Sequence, residues 1–243
     1  MLTLTAVLAA VLALVHFFAG RLRFLQGIPR SQWLSMAGGT SVAYVFVHLL
    51  PDLSEAQRAF ESAEGPLLGY LKHHVYLIAL LGLVVFYGLE RVAKGSRARR
   101  RRAGEGDSTG SKAFWLHIVF FAFYNALIGY LIFSWEPADV EGLLFFVFAI
   151  ALHFVVNDYG LRNHHEADYD HLGRWVLAGA ILAGWGLGNP FELHETTLAV
   201  PFAFLGGAII LNVLKEELPE ERESRYWAFA LGVALYTVLL LTL

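Results

Sequence analysis

Residues Gly142–Gly160, GLLFFVFAIALHFVVNDYG, decide the fold class of this chain. Nearly all of them are apolar, as in a membrane-spanning helix, but His153, Asn157 and Asp158 come near the end. A buried polar group without a partner costs roughly 2 to 7 kcal/mol on transfer scales, so these side chains must face protein or water. On a helical wheel His153 and Asn157 share one face, whereas Asp158 lies about 140° from His153. His153 and Asn157 can therefore share a ligand directly, whereas Asp158 needs some unwinding or a different role.

The composition is that of a membrane protein. Of the 243 residues, 57% are hydrophobic and 16% are charged, against about 25% charged in a typical soluble domain. The chain has no cysteine, which excludes disulfides and thiolate metal sites, so a bound metal would need His, carboxylate, amide and water ligands. The first apolar run, Leu2–Gly20, has no preceding basic residue and no small-residue cleavage pattern. We expect it to be a retained helix rather than a signal peptide.

Eight segments are long and apolar enough to cross about 30 Å of hydrocarbon as helices. They are Leu2–Gly20, Gln32–Leu53, His73–Val92, Ala113–Phe133, Gly142–Gly160, Arg174–Gly188, Leu198–Leu214 and Tyr226–Leu243. Of the 18 Lys and Arg residues, 16 belong to the connections after the odd-numbered segments, and only Arg58 and Lys72 belong to the others. Because cytoplasmic loops carry the excess of basic residues, both termini should be extracytoplasmic. The sequence therefore predicts an all-α integral membrane protein, a single transmembrane domain over residues 1–243 with eight helices in one bundle.

The longest polar connection, residues 93–112, contains the basic run RARRRR. We expect a solvated cytoplasmic loop that sets the topology and lies on anionic lipid. No second feature supports nucleic-acid binding. The outer connections are acidic, which either raises the local cation concentration or is simply the polarity of a protein surface.

The second apolar segment ends in VFVHLLPDL, in which His48 and Asp52 share a helical face. Pro51 lacks an amide N–H, so it should loosen the last turn and free the carbonyl of Val47. An imidazole, a carboxylate and a free carbonyl could hold a hard or borderline cation. The alternative is a helix that ends at the membrane surface, where Pro and Asp are ordinary.

His153 is the strongest single candidate, because an imidazole well inside a span is by default a functional hypothesis. We expect it to bind a metal or a proton. The alternative is that His153 satisfies a neighbouring polar group, such as Asn125 midway along the fourth segment.

A second cluster follows the fifth segment in the stretch RNHHEADYDH. It holds three imidazoles and three carboxylates, a composition that suits a transition-metal site. A flexible solvated loop is the competing interpretation. The residues are His164, His165, Glu166, Asp168, Asp170 and His171.

These segments together resemble the ZIP (ZRT/IRT-like) family of divalent metal transporters. HLLPDL, residues 48–53, is similar to the family's His-Leu-Leu-Pro-Glu segment, and ALHFVVND, residues 151–158, lines up with its His-Glu-x-Pro-His-Glu motif. GGAIILNVLKEELPEE, residues 206–221, is similar to the Gly-rich stretch that precedes a Leu-Pro-Glu ending. The resemblance implies eight helices with both termini outside and a variable inner loop between helices three and four. It places His153 at the first histidine of the motif, and Asn157 and Asp158 at the final pair.

The fourth segment departs from the family pattern. Where the family has His-Asn-x-x-Asp-Gly, this chain reads FYNALIGYL, with Tyr124 and Asn125 at the acidic and glycine positions. On the fifth segment Phe154 and Val156 stand in place of Glu and Pro. Half of the family's paired metal site is therefore missing, which implies a single, weaker site or a different cation.

The leading hypothesis is a ZIP-like permease of the cell membrane that binds or transports a divalent cation such as zinc. The resemblance implies a central site of His153, Asn157 and Asp158, an outer approach of His48 and Asp52, and an inner receiving site that includes His164, His165 and Glu166. We expect no enzyme activity, no organic cofactor and no nucleic-acid partner. The expected partners are the lipid bilayer, the cation and, as one option, a second copy of the chain in a homodimer. The alternatives are a transport-deficient scaffold or sensor and an intramembrane metal-dependent hydrolase, in which a metal activates water.

Overall fold

The computed structural model describes seven stretches of backbone: residues 1–18, 32–62, 75–104, 109–135, 139–190, 195–217 and 225–241. Within them, the side chains of residues 59–62, 163, 164, 166, 167, 195, 196, 216, 217, 240 and 241 lie outside the description. Every regular element in the described chain is a helix. In chain order these are α1 Leu2–Phe18, α2 Gln32–Tyr44, α3 Leu50–Ser62, α4 Val75–Arg102, α5 Ser111–Phe133, α6 Val140–Asp168, α7 Arg174–Gly188, α8 Glu195–Glu217 and α9 Tyr226–Leu241.

The helices are those of a multi-pass membrane protein. Among the described residues, five helical stretches are long and apolar enough to span a bilayer: Gln32–Arg58, Val75–Arg102, Ser111–Phe133, Val140–Arg162 and Thr197–Lys215. On α4 an unbroken apolar face, with Leu77, Leu80, Leu81 and Val84, is more than half exposed, as expected of a surface that lies against lipid. All eight predicted segments are helical over their described residues. Eight complete spans and extracytoplasmic termini stay predictions.

The second apolar segment, predicted to end at Leu53, continues as a helix beyond this residue. A π-helical turn, Val45–Leu49, leads directly into α3, which continues to Ser62. In this turn the amide of Leu50 donates to the carbonyl of Val45. A proline ring inside a helix clashes with the carbonyl four residues earlier, and the wider π turn just before Pro51 gives that carbonyl room.

Two connections that the sequence predicts as loops are largely helical. α4 runs through the basic stretch to Arg102 and α5 begins at Ser111, so that among the described residues of the predicted loop 93–112 only 103, 104, 109 and 110 lie outside a helix. Arginine is a good helix former, and cations are favoured in the last turn of a helix by the dipole. Similarly, α6 continues to Asp168, and a second π-helical turn, Tyr169–Gly173, joins it to α7.

The chain forms two compact units. One contains Met1–Gly27 and Gly88–Phe191, and the other contains Ile28–Tyr87 and Glu192–Leu243. The sequence predicts a single transmembrane domain, and this stays a prediction. The first unit holds α1, α5, α6, α7 and the end of α4, and the second holds α2, α3, α8, α9 and the beginning of α4.

In the first unit α5 and α7 run in parallel at very close range. A Cβ on Gly173 would lie against Ile118 near the start of α5, and one on Gly188 would overlap Phe133 at its end. Between these points, a Cβ on Gly184 would overlap the backbone carbonyl of Ala126. Small residues allow membrane helices to approach to backbone contact, and this approach places the polar face of α5 against its neighbours.

In the second unit α2 and α9 approach in the same way. A Cβ on Gly39 would overlap the carbonyl of Phe229, and one on Gly232 would overlap the carbonyl of Met36. The amide of Arg225 donates to the hydroxyl of Ser35 at 3.1 Å where the two helices begin.

Candidate functional site

A fully buried polar contact in the first unit joins two residues from distant parts of the chain. His16, in the last turn of α1, has its Nδ1 3.0 Å from Oδ1 and 2.9 Å from Oδ2 of Asp158 on α6. Both residues are 1% exposed. An imidazole N–H that donates to a carboxylate fixes the tautomer, which leaves Nε2 of a neutral His16 as an acceptor.

Asn125 on α5 completes this network. Its Nδ2 lies 3.0 Å from Nε2 of His16 and 3.3 Å from the carbonyl oxygen of Leu177 on α7. The amide therefore donates to the nitrogen that the His16 tautomer leaves free. Through three side chains, the network ties together α1, α5, α6 and α7. We call His16, Asn125 and Asp158 the buried triad.

The predicted central residues do not all point the same way. Asp158 turns towards α1 to pair with His16. His153 is buried and packs edge-on against the ring of Tyr124, with 6.0 Å between ring centroids. Within the described part of the chain, Nε2 of His153, Nδ2 of Asn157 and Oδ1 of Asn125 are buried without a hydrogen-bond partner. The separation of about 140° on the helical wheel accounts for this division.

The outer pair, His48 and Asp52, belongs to the second unit. Nδ1 of His48 lies 3.3 Å from the carbonyl oxygen of Val47, the group that Pro51 was expected to free. The imidazole of His48 also packs edge-on against Tyr44, with 5.8 Å between centroids. Asp52 is exposed.

The inner cluster is partly a structural anchor. His165 is buried, with its Nε2 3.0 Å from Nδ1 of His117 on α5. On its other side, Nδ1 of His165 is hydrogen-bonded to the hydroxyl of Thr109. The side chains of His164 and Glu166 lie outside the described residues. His165 thus holds the end of α6 to α5 and to the chain just before it.

Among the described residues, no three His, Asp or Glu side chains converge in a way that could hold a metal ion. The metal-ligand roles assigned to His153, Asn157, Asp158, His48, Asp52, His164, His165 and Glu166 stay predictions.

A cavity of about 340 Å³ opens beside the buried triad. It lies at the end of α1 and around the turn between α6 and α7. There the guanidinium of Arg162 donates to Oδ2 of Asp170 at 2.9 Å. Burial raises the pKa of the Tyr169 phenol, and the nearby carboxylates of Asp158 and Asp170 raise it further. The lining residues are His16, Phe17, Arg162, Tyr169, Asp170, His171 and Arg174.

No protein-family model, curated protein or solved structure matches this chain. The assignment of a function therefore rests on the residues and their geometry.

Sequence reasoning missed His16. The signal was present, because His16 is the one ionisable side chain within the apolar run Leu2–Phe18. The rule that singled out His153 applies equally to any imidazole inside an apolar helix. Its partner, however, could not be inferred, because the spacing of residues along a chain does not determine which helices meet.

Proposed function

We propose that this protein is a ZIP-like permease of the cell membrane that binds or transports a divalent cation such as zinc. In this proposal the cation enters the first helical unit beside α6, and His153 and Asn157 are its primary ligands. The resemblance to the ZIP family implies two further sites for the cation. His48 and Asp52 would form the outer approach, and His165 would lie near the inner exit.

The observation that carries the proposal is the pair of unsatisfied polar atoms on one face of α6. Nε2 of His153 and Nδ2 of Asn157 are both buried without a hydrogen-bond partner among the described residues. A buried polar atom without a partner costs about 1 to 3 kcal/mol, so two such atoms one turn apart favour a ligand. The oxygen and nitrogen of an Asn amide exchange places on a 180° rotation, which offers the cation an oxygen beside the imidazole nitrogen.

Asp158 supplies the negative charge near this face. It is one residue from Asn157 and is engaged by His16. A divalent cation at His153 would be attracted to this carboxylate, because opposite charges interact more strongly in a buried site than in water.

The test is zinc binding by the purified full-length protein, measured by calorimetry in detergent. His153→Ala and Asn157→Ala should each weaken binding by roughly tenfold or more, since even an outer-shell partner of a metal is worth about 10- to 100-fold. Asn189→Ala, which removes an exposed amide, is the matched control and should bind as the wild type does. Equal affinity in the wild type and His153→Ala would reject the proposed site.

A transport-deficient scaffold is the second candidate, and the buried triad favours it. Both ring nitrogens of His16 and both carboxylate oxygens of Asp158 are already engaged, so the triad can act purely as a structural link among four helices. Under this alternative, zinc uptake into vesicles that contain the protein would equal uptake into empty vesicles. His16→Ala would then lower only the stability.

A further inference from the structure

We infer that the cavity at the end of α1, α6 and α7 is a binding site for a phosphate group, held by Arg162 and Arg174. The phosphate could belong to a lipid headgroup or to a free phosphate ion. This inference is independent of the proposed cation transport and needs only the described residues of the first unit.

The charge of the lining favours an anion. Among the described lining residues there are two guanidinium groups, on Arg162 and Arg174, and one carboxylate, on Asp170. Asp170 forms an ion pair with Arg162, with 2.9 Å between Nη2 of Arg162 and Oδ2 of Asp170. Arg174 has no carboxylate within ion-pair distance among the described residues.

Arg174 has a donor in need of an acceptor. Its Nε is buried and has no hydrogen-bond partner within the described chain. The guanidinium lies over the ring of Phe17, with Cζ 5.9 Å from the ring centroid. Phe17 in turn packs edge-on against Trp175, with 4.6 Å between centroids. Stacking on an aromatic ring holds a guanidinium in one orientation, and its planar array of donors matches the oxygens of a phosphate.

The size and place of the cavity fit this ligand. A volume of about 340 Å³ is at the lower end of the roughly 300 to 1,000 Å³ of small-molecule sites and far exceeds the roughly 30 Å³ of one water molecule. The predicted apolar segment Gly142–Gly160 ends two residues before Arg162, so we place the cavity where hydrocarbon gives way to headgroups and water. A phosphate can therefore reach it from lipid or from solution.

Asp170 makes the inference testable in both directions. Because Asp170→Asn removes a negative charge from the cavity lining, it should tighten phosphate binding roughly threefold to tenfold. Arg174→Gln should weaken binding by about tenfold or more, since it removes a charged donor. Two exposed residues outside the cavity provide charge-matched controls. Glu141→Gln removes a negative charge, as Asp170→Asn does, and Arg91→Gln removes a positive charge, as Arg174→Gln does.

The experiment uses the full-length protein in two arms. In detergent, the affinity for inorganic phosphate is measured by calorimetry. In phosphatidylcholine nanodiscs with added phosphatidylglycerol, lipid retention is measured by native mass spectrometry. Binding in the first arm alone assigns a free phosphate, and binding in the second alone assigns a lipid headgroup. In either arm the cavity variants should shift binding as stated and the controls should not.

Absence of binding in both arms would overturn the inference. It would also be overturned if Arg91→Gln weakened binding as much as Arg174→Gln, because the effect would then be one of overall charge. If Arg174→Gln fails to elute as a folded protein in size-exclusion chromatography, Asp170→Asn decides alone. A gain in affinity over Glu141→Gln supports the site, and no gain rejects it.

Discussion

His16 and Asp158 are 142 positions apart in the chain and 2.9 Å apart in space, between Nδ1 and Oδ2. This contact closes the first helical unit, because it fastens the end of α1 to the middle of α6. Asn125 then ties α5 and α7 to the same imidazole. The hydrogen bonds of the buried triad thus help to determine which helices of the first unit become neighbours.

Breaking one side of the buried pair should be strongly destabilising. His16→Leu or Asp158→Leu should each lower the free energy of unfolding by about 3 to 5 kcal/mol, because each leaves a buried partner uncompensated. The double variant should lose much less than the sum, since a leucine pair leaves no unpaired charge. Denaturant unfolding in detergent measures all three. Additive losses would show that the two residues do not act as a pair.

The close approach of α5 and α7 predicts a second loss of stability. Gly184→Ala should cost about 1 to 3 kcal/mol, because the new methyl group overlaps the carbonyl of Ala126. The control is Gly186→Ala on the same helix, where a Cβ has nothing within 4 Å. It should cost nothing. Thermal unfolding of both variants in one detergent makes the comparison, and similar melting temperatures for the two would contradict this packing.

The helices could be predicted from the sequence because long apolar stretches have few alternatives in a bilayer. The residues at which the helices end could not be predicted in this way. The second segment was predicted to end at Leu53, in a last turn loosened by Pro51, but a π-helical turn before Pro51 lets the helix continue to Ser62. The basic stretch before Arg102 was expected to be a loop, but arginine is also a good helix former at a carboxyl end.

The site was only partly predictable for a related reason. A helical wheel correctly separates Asp158 from His153 and Asn157, but it does not specify which neighbouring helix each face meets. The partner of Asp158 proved to be His16 on α1. Asn125, considered as a neighbour of His153, instead bonds to His16 and to the carbonyl of Leu177.

Stability should fall at high pH because of Tyr169. The phenol is 1% exposed, and its pKa is raised by burial and by two carboxylates. Above about pH 10, the ordinary tyrosine value, the unfolded chain loses this proton while the folded protein keeps it. Unfolding is then favoured by about 1.4 kcal/mol for each further pH unit.

Tyr169→Phe should remove this part of the decline. The measurement is the free energy of unfolding between pH 9 and pH 11 for the wild type, for Tyr169→Phe and for Tyr87→Phe, which alters an exposed ring. The slope for Tyr87→Phe should equal that of the wild type. If Tyr169→Phe also declines like the wild type, the phenol ionises as readily in the folded protein as in the unfolded chain.

The proposed topology can be tested directly because the chain has no cysteine. Ser134 and Ser111 are exposed residues near opposite ends of α5. The distribution of basic residues predicts that Ser134 lies outside the cytoplasm and Ser111 inside. A membrane-impermeant maleimide should therefore label Ser134→Cys in intact cells, and Ser111→Cys only after the membrane is opened. The reverse pattern would mean that the helices have the opposite orientation in the membrane. Labelling of both variants in intact cells would mean that α5 does not cross the bilayer.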